Sequence, residues 1–196
     1  MLPVAFSGRI IVVQSELEAN KAVDYLMAQP LVGIDTETRP SFTRGVVNKV
    51  ALLQVSTLDT CFLFRLNVIG ICPAIKRFLE SEQVVKVGLS LKDDFTVLRR
   101  RTDFIPGGMV DLQHLVKEMG IKELSLQKVY AIFFGQKISK AQRLSNWEVD
   151  VLTDKQKIYA ATDAWACVMI YNRMNDLKET GDYVIESLDE EESVAG

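Results

Sequence analysis

Acidic side chains and one tyrosine lie in three separate segments of the sequence, and their types suit phosphodiester chemistry. Asp35 and Glu37 lie in VGIDTET, two adjacent aspartates lie in VGLSLKDDFTVL, and Tyr159 and Asp163 lie in YAATDA. The local pattern of each segment would bring a carboxylate to one shared edge of the fold. Four carboxylates and a phenol at these spacings predict a site that binds two divalent cations and cleaves phosphodiester bonds.

The first pair comes at the end of a short apolar run that predicts a buried strand. Because side chains two apart on a strand point to the same face, Asp35 and Glu37 would lie side by side. Two such carboxylates repel each other, and a divalent cation removes the repulsion. Hard oxygen ligands suit Mg²⁺ or Mn²⁺. The alternative is a pair of solvated acids at a sheet edge, since this spacing recurs by chance.

The third segment lies on a long predicted helix that runs from Thr153 to about Lys178. Tyr159 and Asp163 are four residues apart and therefore share one face of that helix. An aspartate inside an alanine-rich helix is a poor helix former, and it is costly if buried without a partner. A favourable interaction with the helix N-terminus is the alternative, but that effect fades beyond the first turn. A metal ligand explains the position of Asp163 better.

The fourth carboxylate could come from either of two neighbours, Asp93 and Asp94, at the start of a predicted helix over 92–101. The apolar face of this helix would place one aspartate at the border of the core. Each could equally be a solvated acid that stabilises the first turn. The spacing of the residues leaves both open.

The composition predicts one folded domain with an acidic end. The chain has 196 residues, 48% of them apolar, and a net charge of −3. The segment Glu186–Gly196 has five acids and no basic residue, and without it 21 acids face 23 basic residues, a net charge of +2. We therefore expect a domain over 1–185 and a disordered acidic tail over 186–196. The single histidine, His114, excludes a site that needs two imidazoles.

The cysteines and the hydropathy pattern point to a reducing compartment. Cys61, Cys72 and Cys167 form no CxxC pair and lie among apolar residues, so we expect buried free thiols. No apolar window is long enough to span a bilayer, and the N-terminal residues do not read as a signal peptide. These patterns predict a cytoplasmic protein with no membrane association.

The order of elements predicts an α/β fold with a mixed sheet flanked by helices. Strands are expected at 10–13, 31–37, 46–56 and 61–66, and the last three would form an antiparallel meander. Shorter strands at 84–87 and 109–110 alternate with helices and would add parallel neighbours. No glycine-rich nucleotide-binding loop is present.

Taken together, the three motifs resemble those of the DEDD 3′–5′ exonucleases with a tyrosine in the third motif. The resemblance extends over about residues 32–171. VGLSLKDD is similar to the family pattern VGxGxxxD, which selects Asp94 rather than Asp93. SNWEVDVLTDKQKIYAATDAWA resembles the exonuclease domain of the Werner syndrome helicase and its relatives, and ribonuclease D is a more distant cousin.

The resemblance implies a ribonuclease H-like fold and catalysis by two divalent cations, Mg²⁺ or Mn²⁺. In this family pattern Asp35, Glu37 and Asp163 would hold the first ion, with Asp35 bridging to a second ion that Asp94 supports. Tyr159 would orient the attacking water, since an ordinary tyrosine pKa near 10 makes it a poor base at neutral pH.

Further residues are candidates for contacts with the substrate, each with a structural alternative. Thr36, Leu89 and Phe95 resemble family positions near the terminal nucleotide, although packing alone explains the last two. Lys140 and Arg143 would contact phosphates, or else lie in a solvated loop. Trp147 would stack on a base, although an aromatic anchor in the core is the stronger expectation.

The sequence thus predicts a metal-dependent enzyme that removes nucleotides from the 3′ end of DNA or RNA. The alternative is a catalytically weak scaffold with the same fold that binds nucleic acid or a partner. Carboxylates that repel phosphates argue against a pure binding role. Any helicase or repair function would come from a partner chain, because no helicase motif is present.

Overall fold

A computed structural model describes residues 1–123 and 125–181 of the chain. The strands are β1 (Leu2–Val4), β2 (Arg9–Val13), β3 (Leu31–Thr38), β4 (Val50–Ser56), β5 (Thr60–Arg65), β6 (Val85–Gly88), β7 (Met109–Asp111) and β8 (Gln136–Ile138). The helices are α1 (Glu16–Met27), α2 (Leu66–Ile69), α3 (Pro73–Glu80), α4 (Leu91–Arg99), α5 (Leu112–Glu118), α6 (Leu126–Phe134) and α7 (Asp154–Thr180). The predicted acidic tail lies outside the described residues.

Six strands form one mixed sheet in the order β2-β5-β4-β3-β6-β7. Strands β3, β4 and β5 are an antiparallel meander, and the pairs β2–β5, β3–β6 and β6–β7 are parallel. Every residue of β4 is buried, as expected for a strand inside a sheet covered on both faces. The predicted mixed sheet and its meander are confirmed.

A second, two-stranded sheet was not predicted. It pairs β1 with β8 in parallel, with Leu2 opposite Gln136 and Val4 opposite Ile138. Each strand has only three residues, and β8 lies in a stretch whose polar character predicted a loop. Such short strands form because a distant partner meets them, so local sequence carries little signal for either.

Element ends differ by a few residues from the predicted ones. The strand expected from Val46 begins at Val50, because Val46 and Val47 are exposed and unpaired in a loop. Helix α7 begins as expected, with a capping box in which Thr153 and Gln156 exchange hydrogen bonds. Ser15 caps α1, since its side chain accepts from the backbone N–H of Glu18.

Helix α7 crosses the sheet at very close range over β3. A Cβ atom added to Gly33 would lie 1.9 Å from the backbone oxygen of Ala164, so only glycine fits there. Ala164 is fully buried at this contact, as are Ala160 and Ala161 in the preceding turn of α7. The close approach of strand and helix brings Asp35 and Glu37, two and four residues further along β3, toward Asp163 on α7.

The three cysteines are free and buried, as predicted. Within residues 1–123 and 125–181, no helix is long and apolar enough to cross a membrane.

Candidate active site

Three of the predicted acids meet where β3 passes α7. Asp35, Glu37 and Asp163 each offer a carboxylate oxygen, and these oxygens lie within 4.8 Å of one another. Asp35 and Glu37 share one face of β3, as their spacing predicted, and α7 supplies the third. The structure therefore joins two motifs that lie at opposite ends of the sequence.

These carboxylates are held in an environment that opposes their charge. Burial raises the pKa of Asp35 to about 6, although the backbone N–H of Thr36, 2.8 Å from Asp35 Oδ1, acts in the other direction. Burial, and then repulsion from Asp35, raises the pKa of Glu37 and of Asp163 well above the usual values. Within the described part of the chain, buried Asp163 Oδ1 has no hydrogen-bond partner.

This donor set fits divalent cations. Every ligand is a carboxylate oxygen, which is the hard donor that Mg²⁺ and Mn²⁺ prefer. A bound cation would satisfy the unpartnered oxygen of Asp163 and offset the repulsion that raises the pKa values. Asp35, Glu37 and Asp163 are the residues that would hold it.

The second motif contributes Asp94 from the first turn of α4. Its carboxylate accepts a hydrogen bond from the hydroxyl of Thr36 on β3. Burial, and then repulsion from the nearby carboxylate of Asp35, raises the pKa of Asp94 to about 8. Asp93 is exposed. Of the two aspartates that spacing alone left open, Asp94 is therefore the one that contacts the first motif.

The N-terminus of α4 is held by a carboxylate that the sequence did not reveal. Asp111, at the end of β7, accepts hydrogen bonds from the backbone N–H groups of Ser90 and Leu91, each at 2.9 Å. It also caps α5 through the N–H of Gln113. Ser90 has a left-handed backbone with φ of 57°, which is uncommon outside glycine. Asp111 therefore sets the position of the turn that carries Asp94.

Gln54 is a further residue that sequence reasoning missed. It is fully buried on β4 directly opposite Asp35, and its Nε2 lies 3.4 Å from Glu37 Oε1 as a hydrogen-bond donor. This contact lowers the pKa of Glu37 and partly offsets its burial. A glutamine inside the otherwise apolar run VALLQVS was the available signal, because buried amides need partners.

Tyr159 lies one helical turn before Asp163 and borders the same acids. Burial, followed by repulsion from Asp163 and Glu37, raises the pKa of Tyr159, whereas Arg143 lowers it. The phenol therefore stays neutral and can donate a hydrogen bond. This supports the predicted role of orienting a water molecule, not that of abstracting its proton.

The residues predicted to contact the nucleotide substrate differ in their surroundings. Thr36 points to Asp94, Leu89 is half-buried and packs against the core, and Phe95 packs edge-on against Phe104. Trp147 is fully buried, with its ring 5.9 Å from that of Tyr159. Its ring has no free face on which a base could stack. The prediction of base stacking by Trp147 is therefore corrected, and the residue is an aromatic anchor in the core.

Lys140 and Arg143 are exposed in the segment between β8 and α7. Buried Arg65, at the end of β5, ties this segment to the sheet by donating to the backbone oxygens of Val149 and Asp150. Gln156 on α7 donates to the oxygen of Asn146 at 3.1 Å. The segment is irregular but anchored at its C-terminal half.

Comparison with known proteins identifies the family of this chain. The family model described as 3'-5' exonuclease matches residues 10–179. The chain therefore belongs to the 3′–5′ exonuclease family, whose members are hydrolases that act on nucleic acids. It is 31% identical over 156 residues to the mouse bifunctional 3'-5' exonuclease/ATP-dependent helicase WRN. The matched region covers 76% of this chain and 11% of that protein. An Arabidopsis thaliana 3'-5' exonuclease is 29% identical over 190 residues, covering 89% of this chain and 66% of that protein.

Solved structures show the same fold. The Aedes aegypti Nibbler EXO domain superposes with a TM-score of 0.79 at 21% identity, over 88% of this chain and 90% of that one. Escherichia coli RNase D gives 0.77 at 20% identity, over 89% of this chain and 46% of that one. The ribonuclease H-like fold and the family resemblance predicted from the three motifs are confirmed.

Proposed function

We propose that this chain is a 3′–5′ exonuclease that hydrolyses the terminal phosphodiester bond of nucleic acid with two divalent cations. The observation that supports this most strongly is the carboxylate trio of Asp35, Glu37 and Asp163, joined by Asp94 on a separate helix. Such a set is costly to bury without cations, because like charges are forced together. Membership in the exonuclease family indicates the reaction that the site performs.

Bound cations would polarise the scissile phosphate and lower the pKa of the attacking water. Asp35, Glu37 and Asp163 would hold the first ion, while Asp35 and Asp94 would hold the second. The chemistry of the oxygen ligands fits either Mg²⁺ or Mn²⁺.

The remaining groups position the reactants. Neutral Tyr159 donates a hydrogen bond that orients the water, Thr36 holds the carboxylate of Asp94, and Gln54 holds that of Glu37. Exposed Arg143 is close enough to lower the pKa of Tyr159, and exposed Lys140 precedes it in the same segment; both would contact phosphates.

The substrate would be the 3′ end of DNA or RNA. Among the structural neighbours, one structure of Trypanosoma brucei RNase D is a complex with RNA U12, and that of Brucella melitensis NrnC is bound to pGG. The mouse relative combines an exonuclease with a helicase in one chain. We expect the present chain to be cytoplasmic and to work with a helicase or repair protein that is a separate chain.

The decisive test uses oligonucleotides labelled at either end. The chain is incubated with matched DNA and RNA strands in Mg²⁺, in Mn²⁺ and in EDTA. A 5′ label should appear in a ladder of stepwise shorter products, a 3′ label should appear at once in mononucleotide, and EDTA should stop both. Binding without any metal-dependent shortening would contradict the proposal and support the scaffold alternative.

A further inference from the structure

A continuous groove leads away from the candidate active site. Two cavities, of about 980 and 350 Å³, share four lining residues: Val4, Ala5, Ile138 and Ser139. The smaller cavity reaches Tyr159, and the larger one extends to Lys128 on α6. We call this surface, from Tyr159 to Lys128, the β1–α6 groove.

The floor of the groove is a built part of the fold. It is formed by the parallel pair β1 and β8, with Val4 opposite Ile138. The chain leaving β1 is tied to α7 because the backbone N–H of Phe6 donates to Thr162 Oγ1 at 3.0 Å in a buried contact. The groove is therefore held in fixed register with the helix that carries Tyr159 and Asp163.

Basic residues border an apolar floor along this groove. Lys128, Lys137, Lys140 and Lys155 line it, all four are exposed, and none of the residues that line the two cavities is acidic. Lys128 has an ion pair with Glu123 at 3.5 Å, a contact of a kind that contributes little and that a phosphate can displace. The other three have no ion pair within the described residues.

We propose that the β1–α6 groove binds the single strand on the 5′ side of the scissile bond. The inference rests on the proposed function, because the 3′ end then occupies the acid site and the rest of the strand must leave along a neighbouring surface. The groove begins at Tyr159, one helical turn before Asp163, and so starts beside that site. Its lysines match the charge of successive phosphates.

The chemistry of the groove also predicts how the strand is recognised. Beyond Tyr159, its lining contains no aromatic side chain on which bases could stack, and its charged side chains are all lysines. Lysine contacts to phosphates position a strand without reading its bases. The groove should therefore bind longer single strands more tightly than shorter ones, whatever their base sequence.

The test compares substrates that do and do not reach the groove. The double variant Lys128→Gln/Lys137→Gln is assayed on single strands of three and twelve nucleotides, beside the control Lys21→Gln, which removes an exposed lysine on α1. Removal of one lysine–phosphate pair costs about fivefold in affinity at 0.1 M salt, since about 0.7 counterion is released per neutralised phosphate. The ratio of kcat/KM for the long over the short strand should fall about 25-fold in the double variant. The control should keep the ratio of the unsubstituted chain.

Salt dependence supplies a second readout that a folding defect would not produce. The slope of log affinity against log salt for the twelve-nucleotide strand should become shallower by about 1.4 in the double variant, because two phosphates are no longer neutralised. An unchanged length ratio together with an unchanged slope would overturn the inference.

The groove and the proposed function can fail separately. If the unsubstituted chain cleaves neither strand, the function fails, and fluorescence anisotropy of a labelled twelve-nucleotide strand in EDTA still tests the groove. A photo-crosslinking residue in place of Ala131, which lines the larger cavity, identifies the occupant. A crosslink to the oligonucleotide supports the inference, whereas crosslinks only to this chain's acidic residues 186–196 or to a second copy overturn it.

Discussion

The hydroxyl of Thr36 donates a hydrogen bond to the carboxylate of Asp94 across 58 residues of sequence. Thr36 lies between two acids of the trio on β3, so its side chain connects the first motif to the second. The backbone N–H of the same residue donates to Asp35. One residue therefore orients two carboxylates, those of Asp35 and Asp94, that would share the second cation.

Loss of this hydroxyl should weaken the site without dismantling it. Thr36→Val keeps the shape of the side chain and frees Asp94, and we expect activity or cation affinity to fall about 10–100-fold, as is typical when a partner of a metal ligand is removed. Thr36→Ser should restore most of the loss. Titration of activity with Mg²⁺ measures this, and an unchanged cation requirement in Thr36→Val would show that the contact has no positioning role.

Asp94→Asn and Asp93→Asn form a matched pair of variants. Asp94 is partly buried and accepts from Thr36 on β3, whereas Asp93 is exposed. We expect the first substitution to lower kcat by at least about a hundredfold, as losses of groups that stabilise transition-state charge do, and the second to leave kcat near the original value. The reverse result in the end-label assay would assign the second motif to the wrong aspartate.

Asp163→Asn should separate catalysis from folding. The change removes a buried charge that Asp35 repels and keeps the size of the side chain. We therefore expect activity to be lost while the melting temperature in EDTA stays the same or rises. The melting temperature of the variant should also respond less to Mg²⁺ than that of the original chain. A variant that turns over normally would rule out Asp163 as a ligand.

The stability of the metal-free chain should decrease as the pH rises. Burial raises the pKa of Asp35 from 3.8 to about 6 and that of Asp94 from 3.8 to about 8. Between these values the folded chain retains protons that the unfolded chain has lost, so deprotonation favours unfolding. The free energy of unfolding in EDTA should fall from about pH 4 to about pH 8.

Cation binding should counter this loss, because it offsets the repulsion between the carboxylates. Mg²⁺ should therefore raise the melting temperature more at pH 8 than at pH 5. Asp94→Asn is the control, since it should flatten the metal-free profile in the upper part of the range. A metal-free stability that increases with pH through this window would contradict the arrangement of acids.

Tyr159→Phe tests whether the phenol orients the water or removes its proton. Burial and the neighbouring acids raise the pKa of Tyr159, so it remains a neutral donor. Removal of one such donor should lower kcat by about 10²–10³-fold. The shape of the pH–rate profile should be unchanged, and disappearance of its alkaline limb in the variant would instead identify Tyr159 as a titrating base.

Much of the site could be predicted from sequence because its signals are local. Alternation along a strand places Asp35 and Glu37 on one face, and the helical repeat places Tyr159 and Asp163 together. A buried aspartate in an alanine-rich helix signals an unusual environment without any knowledge of the fold. The meander of β3, β4 and β5 followed from the same kind of pattern, apolar runs separated by a turn.

Contacts between distant segments were decided only by the tertiary structure. Gly33 lets α7 pack against β3, and this approach, which no local pattern encodes, brings the first and third motifs together. The choice of Asp94 depends on a hydroxyl from β3, and the position of its helix depends on Asp111 from β7. The groove likewise exists because two three-residue strands pair across most of the chain. Residue type and spacing determine which groups can do chemistry, whereas packing determines which of them meet.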